Sequence, residues 1–169
     1  GLASVLGARA AGASKIIAVD LSPEKLALAK DVGATAVVNG GDADAVEQVL
    51  QLTGGGADYV FEMAGSIRAL DNAMKMTKRG GMTVTAGLPP PGSALSVNVV
   101  QLVGEERTLK GSYIGTCVPI RDIPRFIELY RDGRLPVDRL LSGRLKLDDI
   151  NEGFDRLHDG SAVRQVIEF

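Results

Sequence analysis

Cysteine is nearly missing from this sequence: Cys117 is the only one among 169 residues. No internal disulfide framework can be built from it, which fits a cytoplasmic chain. Histidine is as scarce, with His158 alone. Two isolated residues far apart in sequence do not make the three or four ligands of a zinc site. No apolar run approaches the roughly 18 residues of a membrane span, so no membrane partner is expected. The first residues have neither a charged n-region nor a long apolar core, so no signal peptide is expected. An excess of one charge is also lacking. Nineteen Lys and Arg against 21 Asp and Glu give a net charge of −2 with no basic block, which argues against nucleic acid and anionic lipid.

What the sequence does have is 45% hydrophobic and 24% charged residues, the balance of one ordinary globular domain with a real core. Its 21 glycines sit between apolar runs, where they mark tight turns and close backbone approaches. The runs are KIIAV (15–19), TAVVN (35–39), DYVFEM (58–63), GMTVTAG (81–87) and RTLKGSY (107–113). The first four are almost continuously apolar, as strands buried on both faces of a parallel sheet would be. Amphipathic segments separate them. In LSPEKLALAKDVGA, Ser22 suits a cap, Pro23 the first helical position and Gly33 the position past the end. DADAVEQVLQLTGGG puts Val46, Val49 and Leu50 on one face before its glycines. SIRALDNAMKMTKRGG groups Ile67, Leu70, Ala73 and Met74 and is expected to run to Gly80-Gly81. Strand and helix alternating at this length predict an α/β fold with a doubly wound parallel sheet.

Beyond about residue 114 the pattern changes. RDIPRFIELYRDGRLPVDRLL reads as a helix with Phe126, Ile127 and Tyr130 on one face, ending at Gly133. A short strand, a helix from about Asp148 and an alternating final strand, AVRQVIEF, follow. This tail need not belong to the same sheet. LPPPG (88–92) is a stiff loop past a strand end.

A ligand of a doubly wound sheet lies beyond the carboxyl ends of its strands. Asp20, Met63-Ala64-Gly65, Ala86-Gly87-Leu88 and Ser112 to Gly115 stand there. An acid closing the second strand of a Rossmann unit accepts hydrogen bonds from the adenosine ribose and repels a 2′-phosphate, which favours NAD over NADP. Gly1 lies 19 residues before Asp20 and fits the third glycine of the G-x-G-x-x-G fingerprint. On local pattern alone, an acid here could equally mark an ordinary loop start. TGGG (53–56) follows a helix rather than preceding one, so it reads as a turn and not as a phosphate cradle.

GLASVLGARAAGASKIIAVDLSPEKLALAKDVGAT, GGGADYVFEMAG, GGMTVTAG, LKGSYIG and DINEGFDRLHDGSAVRQVIEF, in that order, resemble the zinc-containing alcohol dehydrogenases of the medium-chain dehydrogenase/reductase family. The resemblance covers essentially the whole chain. It implies a Rossmann-like sheet lacking its first strand over residues 1–114, and a bridging helix and tail returning to a catalytic domain over 115–169. It makes Asp20 the adenosine-ribose acceptor and sets Lys25 near the same ribose. Met63 and Ala64 would flank the adenine side, and Ala86, Gly87 and Leu88 the nicotinamide ribose. Ser112, Tyr113 and Ile114 would meet the carboxamide, and Arg164 the pyrophosphate. Lys25 could also be a plain solvated helix residue, and Arg164 could pair with an acid instead.

The resemblance further implies hydride transfer between a small alcohol and NAD. Zinc would be held by ligands outside this sequence, and a homo-oligomer would form through the strand near 107–113. No catalytic residue is assigned. The chain is expected to be a fragment of a longer, cytoplasmic enzyme. A zinc-free quinone or enoyl reductase, a non-catalytic nucleotide-binding module and, more distantly, a methyltransferase stay open as alternatives.

Overall fold

A computed structural model describes all residues, 1–169. Helix α1 (Leu2–Ala10) leads to strand β1 (Ile17–Asp20), then α2 (Pro23–Val32) and β2 (Ala36–Asn39). Next come α3 (Ala45–Thr53), β3 (Ala57–Glu62), α4 (Ile67–Met76), β4 (Thr77–Thr85), α5 (Val99–Gly104) and β5 (Thr108–Gly111). The tail holds α6 (Pro119–Arg131), β6 (Gly143–Lys146), α7 (Ile150–His158) and β7 (Gln165–Glu168).

Local chemistry explains the helix ends. Ser22 accepts the Lys25 amide at the start of α2, Pro23 fills the first position, and Gly33 closes the helix at φ 127°. Gly54 ends α3 in the left-handed region, as TGGG suggests. Helix α4 stops at Met76, four residues short of Gly80. The reason is Thr77, fully buried, whose hydroxyl bonds the Ala73 carbonyl (2.8 Å) and Thr83 Oγ1 (2.6 Å). That pair starts β4 directly on the helix. Gly80 and Gly81 fall instead in an irregular stretch of β4, where pairing jumps from Ala57↔Thr77 to Tyr59↔Met82.

All four pairings are parallel, in three separate sheets: β1-β2, β3-β4-β5 and β6-β7. The tail thus makes its own small sheet. No ladder joins β1 to β3, so β1-β2 and β3-β4-β5 stand as separate sheets. Burial on both faces is not reached on β3, where Tyr59 is 64% and Phe61 50% exposed.

The core has two parts. Val5, Leu6, Ile16, Ala29, Val32 and Ala34 pack around α1, β1 and α2, and Leu140 from the tail is buried among them. Val38, Ala45, Val49 and Met76 join β2, α3 and α4. Arg134 and Arg139 bind the carbonyls of Ala10 and Asp31, tying the tail to the first half. Phe126, Ile127 and Tyr130 share one face of α6, where they line an open apolar groove with Ile123, Leu135 and Val137. No helix is long and apolar enough to cross a membrane.

Candidate functional site

Three groups of residues stand at the carboxyl ends of the strands. The first forms at the end of β1. Asp20 Oδ1 accepts the Ser22 amide at 3.0 Å, a local turn that aims the chain into α2. The other carboxylate oxygen makes no hydrogen bond within the chain, and the side chain is exposed. Gly1 caps α1, its carbonyl accepting the Ser4 and Val5 amides. The charges of Asp20, Arg164 and Lys25 all act at the Gly1 nitrogen, at the head of α1. Residues 1, 20, 25 and 164 are therefore gathered in space although the sequence scatters them. Lys25 Nζ lies 3.0 Å from where a Cβ on Gly160 would stand, so the loop before β7 closes over the start of α2. No atom lies within 4 Å of a Cβ position on Gly1.

The second group joins β3 and β4. Glu62 is 4% exposed. Its Oε1 accepts the amides of Ala64 and Gly65, each at 2.7 Å, and more weakly that of Ser66 at 3.4 Å. Its Oε2 accepts the Thr85 hydroxyl at 2.9 Å. Its carbonyl accepts the Ala86 and Gly87 amides at 3.0 and 3.3 Å. Met63 and Leu88 stay exposed on either side. Neither Glu62 nor Thr85 is singled out by sequence reasoning. The signal that was available is an acid just inside a strand end, followed by the small turn residues Ala64-Gly65-Ser66.

The third group follows β5. The Ser112 amide binds the Thr85 carbonyl at 2.9 Å, which brings Ser112 to the end of β4. Tyr113 and Ile114 are exposed. Ile114, Gly115 and Thr116 take φ of 51°, 64° and 55° in succession. Positive φ is costly for β-branched residues and gathers at functional turns.

A helix start beside two cations suits a phosphate group, and an exposed carboxylate oxygen suits sugar hydroxyls. The small residues Ala64 and Ala86 at the two strand ends suit a flat ligand laid on the backbone, while Gly65 and Gly87 let the two turns meet. The set fits a dinucleotide. It does not fit zinc: no three His, Cys, Asp or Glu side chains cluster closely enough to hold a metal ion. Burial pushes the Cys117 thiol pKa up, with Asp122 adding to the effect, so the thiol stays protonated.

Residues 1–132 match the family model described as zinc-binding dehydrogenase. The chain belongs to this family. As a zinc-binding dehydrogenase chain it is 37% identical over 171 residues to alcohol dehydrogenase class-3 of Myxine glutinosa, covering 99% of this chain and 45% of that protein. Benzyl alcohol dehydrogenase from Acinetobacter calcoaceticus shares its fold at a TM-score of 0.96 and 31% identity, over 100% of this chain and 46% of that one. A zinc-binding dehydrogenase from Sinorhizobium meliloti 1021, solved bound to NADP, matches at a TM-score of 0.88 and 30% identity, over 99% and 49%. The chain spans about half the length of the curated relatives it matches. The resemblance read from the sequence and its Rossmann-like α/β fold are therefore borne out.

Proposed function

We propose that this chain is the cofactor-binding part of a zinc-dependent alcohol dehydrogenase that uses NAD. The observation that carries the reading is Asp20, with one unengaged carboxylate oxygen at the end of β1, gathered with the head of α1, Lys25 and Arg164. Asp20 would accept the adenosine ribose hydroxyls. Its charge would repel the 2′-phosphate that separates NADP from NAD. Arg164 and the start of α1 would hold the pyrophosphate, and Lys25 would lie near the ribose. Met63 and Ala64 would border the adenine side. Ala86, Gly87 and Leu88 would border the nicotinamide ribose. Ser112, Tyr113 and Ile114 would offer backbone groups to the carboxamide and so fix the ring face presented. NAD, when bound, would supply the hydride acceptor.

The two-part division at residue 114 and the cytoplasmic location belong to the same reading. So do an alcohol or aldehyde substrate and zinc ligands lying outside these residues. A homo-oligomer through β5 is supported by the sheet edge that Thr108–Gly111 forms, exposed at all four positions. Calorimetric titration with NADH, NADPH and S-adenosylmethionine tests the cofactor assignment. NADH should bind most tightly, whereas preference for S-adenosylmethionine would move the chain to another class of enzyme.

A further inference from the structure

Glu62 is a buried acid with no basic partner. None of the ion pairs in the chain involves it. Burying a carboxylate is costly unless hydrogen bonds satisfy it. Here they do, and they come from two different turns. The Ala64, Gly65 and Ser66 amides belong to the turn between β3 and α4. The Thr85 hydroxyl and the amides of Ala86 and Gly87, which reach the Glu62 carbonyl, belong to the end of β4. The positive end of α4, whose cap is Ser66, adds to the same stabilisation.

The two turns also touch. A Cβ on Gly65 would stand 2.6 Å from the Leu88 carbonyl oxygen, and one on Gly87 would stand 2.6 Å from Gly65 Cα. There is no side chain between them to set their spacing. The β3–β4 ladder brings the two turns side by side, ending at Glu62↔Thr85, and the Glu62 carboxylate bridges them beyond it.

We propose that Glu62 is a positioning residue that locks the 63–66 and 86–88 turns into one unit and so sets the distance between the two halves of a bound dinucleotide. The inference rests on the dinucleotide reading above. A dinucleotide laid along the carboxyl ends from Asp20 toward β5 must cross both turns, whereas a mononucleotide held at Asp20 need not reach the second. Loosening the lock therefore costs more affinity for the whole cofactor, which meets both turns, than for its adenosine half, which meets only the 63–66 turn.

The test uses the 169-residue chain with Glu62→Ala, Glu62→Gln and Thr85→Val, titrated with NADH and with AMP. Glu62→Ala should weaken NADH about tenfold and AMP less than about twofold, the scale of losing hydrogen bonds to a charged acceptor. Glu62→Gln keeps an oxygen for the 64–65 amides and a donor for Thr85, and should restore most of the affinity. Thr85→Val removes one bond only and should fall between. Equal losses for NADH and AMP would make Glu62 a merely structural residue, and unchanged NADH binding in Glu62→Ala would overturn the proposal. A wild-type chain that binds neither ligand would instead overturn the dinucleotide reading. Amide exchange then still reads the lock without any ligand. Glu62→Ala strips the acceptor from Ala64–Ser66 but keeps the Glu62 carbonyl that Ala86 and Gly87 bond, so protection at 86–87 should fall with that at 64–66 only if the lock couples the turns, and loss confined to 64–66 would contradict the coupling.

Discussion

Gly65 and Gly87 meet backbone to backbone at the ends of neighbouring strands, with no space for a side chain on either. A Cβ on Gly87 would lie 2.6 Å from Gly65 Cα, nearer than real Cβ atoms come. Gly87→Ala should therefore force the two turns apart and destabilise the chain by about 1–3 kcal/mol, the cost of overpacking. Gly7→Ala is the contrast. It lies inside α1 with nothing within 4 Å of its Cβ position. Urea unfolding should show it stabilised by about 0.5–1 kcal/mol, since alanine loses less backbone entropy in a helix.

Asp122 supplies a pH-dependent element. Arg121 beside it, and then the Val118 amide at the head of α6, hold its carboxyl well below the usual carboxylate range. A group whose pKa is lower in the folded chain stabilises it above the unfolded value of 3.8, and that contribution is lost as the pH falls. Wild type should exceed Asp122→Asn in unfolding midpoint at pH 7, and the difference should shrink progressively below about pH 4. A difference that is the same at pH 7 and pH 3 would mean that the carboxylate charge is not what matters.

The exposed edge at β5 bears on assembly. Helix α5 leads into it with Val100 83% and Val103 71% exposed, more apolar surface than an isolated helix face usually shows to water. Val100→Glu should leave the fold intact and shift sedimentation equilibrium from an associated species toward monomer. A wild-type chain that is monomeric at high concentration would refute association through this edge.

The split between β1 and β3 has its own consequence. Tyr59 and Phe61 stand exposed on β3 beside the gap. Unpaired strand edges flanked by such side chains promote association between chains. Phe61→Thr should lower light scattering on warming without lowering helix content by circular dichroism.

Much of this was legible in the sequence, because local chemistry decided it. Ser22-Pro23 and Gly33 mark the ends of α2, and the apolar runs mark the strands to within a few residues. Asp20 was located by its place at the end of an apolar run, but local pattern left a ribose acceptor and an ordinary loop start equal there. The end of α4 was not, since the burial of Thr77 and its bond to Thr83 depend on contacts between β4 and its own helix. Glu62 was hidden for a related reason. Acids are exposed by default. Only the folded chain shows that four donors from two turns converge on its side chain. Gly1 was tied to Asp20 by the spacing of the glycine fingerprint, whereas Lys25 and Arg164 were set near it only through family resemblance, because no local pattern links residue 164 to residue 1.

The claim that most needs testing is that Asp20 selects NAD. Calorimetric titration of wild type and Asp20→Ala with NADH and NADPH addresses it directly. The account predicts that wild type prefers NADH, and that Asp20→Ala weakens NADH about tenfold while narrowing the gap to NADPH. Tighter binding of NADPH by wild type, or undiminished NADH affinity in Asp20→Ala, would contradict it.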